Sequence, residues 1–168
     1  MPPSPLRDCL AEIVNVIVSV KQDTGLDGLV VKQLDDHQYA VHGIQIKLGE
    51  HHRTITAGKL ELQRKRASGA MGGGVDDSTI AGIAAKAERG MVNALALLGA
   101  AFGGVTFLPT SVCLLTNKCV TEEGMDLADA PCVRVRPDVE LPLNVCHGAS
   151  FYEYFPLPMR ASLVHEMR

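Results

Sequence analysis

The stretch that most limits what this chain can fold into runs from Gly69 to Gly104, "GAMGGGVDDSTIAGIAAKAERGMVNALALLGAAFGG". Glycines bracket a segment with helical periodicity. Ile80, Ala84, Ala87, Met91, Leu95 and Leu98 fall on one face, and Lys86, Arg89 and Asn93 on the opposite one. Such a pattern predicts a helix with one side in water and the other against a sheet. From Met91 to Leu108 only Asn93 and Thr106 are polar, nearly the length of a bilayer span. The polar stripe and the glycines at 99, 103 and 104 argue for a core helix instead, with a membrane-associated subunit using 91–108 as the minor alternative.

The glycines ahead of this helix match neither GxGxxG nor GxxxxGK[ST], and no basic residue opens the helix. Asp76 and Asp77 are expected to cap its start and repel a phosphate. Residues 69–75 therefore read as an accessible Gly-rich linker.

On the N-terminal side, Ser4 and Pro5 form a helix start. Leu6, Leu10, Ile13, Val14, Ile17 and Val20 follow at helical spacing, which predicts a second amphipathic helix ending near "DTGLDG". Alternation then takes over. Ile44, Ile46 and Leu48 alternate with Gln45 and Lys47, and Leu60 and Leu62 with Glu61 and Gln63. This predicts a three-stranded antiparallel meander over 28–34, 39–48 and 53–64, with bulges at Gly43 and Gly58. "VTFLPTSVCLLTNKC" and "PCVRVRPDVELPL" add two or more later strands. The expected fold is α+β: an antiparallel sheet covered by two amphipathic helices, one domain over 1–150, and an aromatic and proline-rich tail over 151–168.

A chain of 168 residues, 46% hydrophobic and 21% charged, can bury a sizeable core, which must be mostly aliphatic because aromatics are only 4%. A net charge of −3 provides no general field for nucleic acid. Asp8 and Glu12 interrupt any secretory signal, and five cysteines without one point to free thiols in the cytoplasm.

Little in the sequence indicates catalysis. Cys113, Cys119, Cys132 and Cys146 lack the close pairing of a zinc knuckle, and His51 and His52 share a turn, so neither metal nor cofactor is expected. No GxSxG elbow is present. The acid pairs Asp35/Asp36, Asp76/Asp77 and Glu122/Glu123 sit in turns or at a helix start. "KRAS", Lys65 to Ser68, resembles a basophilic kinase site at the level of chance. Arg64, Lys65 and Arg66, with Arg134 and Arg136, form the one basic surface suited to an acidic partner.

The strongest anomaly is "FYEYFPLP", Phe151 to Pro158, which holds four of the seven Phe and Tyr residues. Phe151, Tyr152, Tyr154, Phe155 and Pro156 read as rigid anchors for a protein partner or a second copy of the chain, the alternative being a plug in the parent core. The expected function is a non-enzymatic interaction or assembly protein, such as one subunit of a larger complex. The alternative is a small enzyme using scattered residues near Asp76, Asp77, Cys146 and His147.

Overall fold

In a computed structural model of the chain, residues 15–19, 25–49, 54–121 and 131–147 are described, the first five for their backbone alone. The elements in chain order are β1 (Asn15–Ser19), β2 (Gly28–Gln33), β3 (Gln38–Lys47), β4 (Thr54–Ile55), α1 (Leu60–Ala67), α2 (Ile80–Ala101), β5 (Thr106–Thr116), β6 (Cys119–Val120), β7 (Cys132–Arg136) and β8 (Val139–Cys146).

The sheet is mixed, which corrects the antiparallel expectation. Six strands run in the order β1-β2-β3-β5-β8-β7. β1 pairs antiparallel with β2, β2 with β3, and β7 with β8, whereas β5 lies parallel to both β3 and β8. A 22-residue helix stands between β3 and β5, and a chain that returns through a long helix re-enters a sheet in the same direction it left. The fold remains α+β.

The expected third strand of the meander, 53–64, does not form. Thr54–Ile55 instead pairs in parallel with Cys119–Val120 in a separate two-stranded sheet, and Leu60 opens a helix. From Leu60 to Ala67 there is no β-branched residue, and the run LELQRKRA is rich in helix formers. Leu60 and Gln63 are buried together at helical spacing, while Glu61 and Arg64 pair at i,i+3. Gly58, at φ +74°, turns the chain into this helix rather than forming a bulge. Gly43 forms no bulge either, since β3 holds its register there with β2 and β5. It packs beneath Met91 and Leu26, where a side chain would be crowded. The β3–β5 irregularity falls between Val41 and His42.

The predicted N-terminal helix fails at its C-terminal end, where Asn15–Ser19 is an edge strand. Val16, Ile17 and Val18 are three β-branched residues in succession, which favour an extended backbone once β2 offers a partner. The rest of that predicted helix lies outside the described residues.

The long helix follows its predicted pattern. Ile80, Ala84, Ala87 and Met91 are buried, Leu95 and Leu98 pack against the core, and Arg89 and Asn93 face outward. Its buried face covers the side of the sheet carrying Leu29, Val31, Val41, Val112, Leu114, Val133 and Leu143, an almost wholly aliphatic core. Among the described residues no helix is long and apolar enough to cross a membrane, and the 91–108 stretch divides into the end of α2, a turn and the start of β5.

Two prolines sit within strands without breaking the sheet. Pro109 lies beside the register shift, and β5 pairs with β8 only from Val112 onward. Pro142 likewise precedes the β8 residues that pair with β5.

Candidate functional site

The N-terminal end of α2 is occupied by the protein itself. Its cap is Thr79, whose Oγ1 accepts from the Gly82 N–H at 3.0 Å and donates to the Asp76 carbonyl at 2.9 Å. The amides of Ile80 and Ala81 donate to the carbonyls of Thr56 and Ala57, and Ile83 N–H donates to the Thr79 carbonyl. With the first-turn donors satisfied, no phosphate cradle exists at this terminus. Asp76 and Asp77 do not cap the helix as expected. Asp76 accepts from the hydroxyl and the amide of Ser78, which hold its carboxyl below the usual range. Asp77 pairs with Lys86 at 2.6 Å.

A cleft of about 660 Å³ opens beside this region. Gly25, Leu26 and Asp27 line it ahead of β2, Gln45 and Lys47 from β3, and Arg66 and Ala67 from the end of α1. Val75 and Asp77 come from the linker, and Ala85, Lys86 and Arg89 from α2. Gly25 sits at φ +84°, and a side chain there would overlap the Lys86 carbonyl, so glycine alone lets this turn lie against α2. Gln45 is buried and donates from Nε2 to Asp27 Oδ2 at 2.9 Å; the Ile46 amide donates to the same oxygen at 2.6 Å. Arg89 donates to the Ala67 carbonyl, holding the end of α1 against α2. Four cations and two carboxylates line the cleft. Lys86 is paired with Asp77 and Asp27 is held by Gln45 and Ile46, while the Nε of Arg66 is buried without a hydrogen-bond partner.

The basic residues singled out in the sequence separate in the structure. Arg64 is nearly enclosed and forms ion pairs with Glu88 (2.6 Å), Glu61 (2.7 Å) and Glu140 (3.5 Å). Its guanidinium loses solvent on burial, yet the hydrogen bonds to Glu88 and Glu61 outweigh that and hold its pKa above the ordinary value. Arg134 joins the same cluster, 2.9 Å from Glu140 and 3.5 Å from Glu61. Arg64 and Arg134 are thus matched by acids from α1, α2 and β8. Lys65 and Arg136 are exposed, and Arg66 turns to the cleft. Ser68 is exposed just past α1, with its hydroxyl donating to the Lys65 carbonyl.

The four described cysteines, Cys113, Cys119, Cys132 and Cys146, do not converge into a ligand set. Among the described residues no group of three or more His, Cys, Asp or Glu could hold a metal ion. Cys113 and Cys146 sit on the sheet face turned away from α2, and burial pushes the Cys113 thiol up, with Cys146 adding to the shift. On that face His42 Nδ1 is hydrogen-bonded to Ser111 Oγ at 2.8 Å. Burial, and then Lys32, lower the His42 pKa. Of the residues considered for a scattered enzyme site, Asp77 lines the cleft and Cys146 lies on the opposite face of the sheet.

Phe151, Tyr152, Tyr154, Phe155 and Pro156 lie outside the described residues, as do His51, His52, Glu122 and Glu123. The cleft itself was not anticipated, because its walls come from positions 25 to 89 and no spacing announces them. Compared with protein-family models, curated proteins and solved structures, the chain matches none.

Proposed function

We propose that this is an interaction protein that self-associates through the C-terminal half of α2, with the aromatic segment Phe151, Tyr152, Tyr154, Phe155 and Pro156 as a further anchor for assembly. The observation that carries this reading is an uncharged run with exposed apolar side chains along the C-terminal half of α2 and into β5. Between Arg89 and Lys118 the chain has no charged residue or histidine. Within that stretch Leu97 is 71% exposed, Val92 43% and Leu108 37%, with Ala96 and Ala100 also open to water. Val92, Ala96 and Ala100 line up at i,i+4, and Leu97 stands beside them.

A water-exposed apolar surface of this kind marks an association site. The run itself carries no charge, so the part of a partner that covers it is uncharged as well. A second copy meets that requirement, with the small residues Ala96 and Ala100 providing room for Leu97 and Val92 of the facing helix. Two-fold pairing of one patch with itself is the commonest form of assembly. A reducing, cytoplasmic setting accords with Cys113, Cys119, Cys132 and Cys146 forming no disulfide among the described residues.

The test is Leu97→Glu. A carboxylate at the centre of the contact is expected to shift the protein from dimer to monomer in chromatography with light scattering, with the monomer's melting temperature essentially unchanged. A wild-type protein that is monomeric throughout would overturn the reading.

A further inference from the structure

We infer that the cleft between α1, α2 and the β2–β3 hairpin binds a small phosphorylated molecule, with Arg66 and Lys47 holding the phosphate. This site is separate from the apolar end of α2 and does not depend on it.

The charges of the cleft divide into those already matched and those left over. Lys86 is ion-paired with Asp77, and Asp27 accepts from Gln45 and the Ile46 amide. Arg89 donates to a carbonyl, which leaves its charge uncompensated. Lys47 and Arg66 line the same space with no ion pair among the described residues; Asp76, outside the lining, feels the charge of Arg66. Cations that line one cleft with fewer carboxylates beside them raise the local concentration of an anion there. A phosphate supplies several oxygens at once and suits the fork of an arginine. Its double charge also matches the excess of two cations over carboxylates among the lining residues.

The rest of the cleft says what the phosphate is attached to. A volume of about 660 Å³ far exceeds one phosphate and lies within the range of small-molecule sites. Gln45 and Asp27 stand on its β-hairpin wall, a carboxamide and a carboxylate that can hydrogen-bond hydroxyl groups. The wall is mainly polar, with Leu26, Val75 and the two alanines Ala67 and Ala85 as its apolar part. A hydroxylated body with a terminal phosphate, as in a sugar phosphate or a nucleoside monophosphate, fits this lining better than an apolar anion. The two sources share the phosphate and differ in the base.

Isothermal titration of the full chain with inorganic phosphate, ribose 5-phosphate and adenosine monophosphate tests the proposal, with ribose and adenosine as uncharged controls. Binding of at least one phosphate ester, tighter than inorganic phosphate, is expected, and neither control should bind. The tighter of the two esters identifies the body. Arg66→Gln should weaken that binding about tenfold or more, the effect of losing a hydrogen bond between charged groups, and Lys47→Gln by a smaller factor. A thermal melt of each variant confirms that it is folded; should Arg66→Gln not fold, Lys47→Gln and the loss of binding at raised salt carry the decision. Absence of binding by every phosphate compound would overturn the proposal. So would equal affinity in the wild type and both folded variants.

Discussion

Arg64 and Glu88 meet inside a three-way junction. The Arg64 Nε donates to Glu88 Oε1 at 2.7 Å, and the same carboxylate oxygen accepts the backbone N–H of Arg134 at 2.9 Å. One glutamate on α2 therefore ties α1 to the edge strand β7. The side chains of Arg64 and Glu88 are only 11% and 15% exposed, so neither can replace the other with bulk water.

Removing one member should be costly. Glu88→Ala leaves a nearly enclosed guanidinium and an unpaired strand amide, and a loss of about 3 kcal/mol in urea unfolding is expected. Glu61→Ala removes a contact on the open side of the same arginine and should cost less than about 1 kcal/mol. Equal effects for the two would contradict the junction.

The start of α2 offers a second comparison. A side chain at Gly82 would overlap the Asp76 carbonyl and crowd the Thr79 hydroxyl, so Gly82→Ala forces the linker away from the helix. Thr79→Ala removes only the cap. The first should destabilise by about 2 kcal/mol or more through backbone displacement, the second by about 1 kcal/mol. Thermal melts of the two variants check the order, and a neutral Gly82→Ala would mean that this turn is not packed as described.

Acid should act in two stages. Burial and then Lys32 lower the His42 pKa, so the folded state prefers the neutral ring. That contribution is complete above the unfolded value of about 6.5 and is lost as the pH falls through the lower folded one. Hydrogen bonds from Arg64, Ser78 and Arg134 hold the carboxyls of Glu61, Asp76 and Glu140 below their ordinary values. Their contribution is present above about pH 4.5 and is lost as the pH falls further. Melting temperature against pH should show a shallow decline beginning near neutrality and a steeper one in acid. His42→Gln should remove the first and Glu140→Gln should reduce the second. A profile unaffected by either substitution would contradict the assignments.

Those parts of the fold that depend on one local pattern were legible from the residues. The alternation around Ile44 located β3, and the stripe from Ile80 to Leu98 located α2 with its wet and buried faces. Leu60 and Leu62 misled because two leucines around Glu61 fit both a strand and a helix. The absence of β-branched residues from 60 to 67 was the signal that would have decided it. Asn15–Ser19 failed because Ile17 fits the helical stripe from Leu6 to Val20, while the β-branched run Val16, Ile17 and Val18 becomes a strand by pairing with β2. The parallel β3–β5 contact depends on where the chain returns, which no local pattern encodes. The cleft belongs to the same class, because Gly25, Gln45, Arg66 and Lys86 acquire a shared role only once α1 and α2 are packed. The apolar run after Arg89 was visible at once, but its exposure was not, since hydropathy cannot distinguish a helix end enclosed on all sides from one that leaves a face open.

Self-association through that open face is tested most directly by sedimentation velocity of the wild type and Leu97→Glu over a hundredfold dilution. The expected result is a wild type that sediments at twice the chain mass when concentrated and dissociates on dilution, beside a variant that stays monomeric with an unchanged melting temperature. A wild type that is monomeric at every concentration, with a Leu97→Glu variant that melts lower, would contradict it and show that the chain's own residues cover this surface.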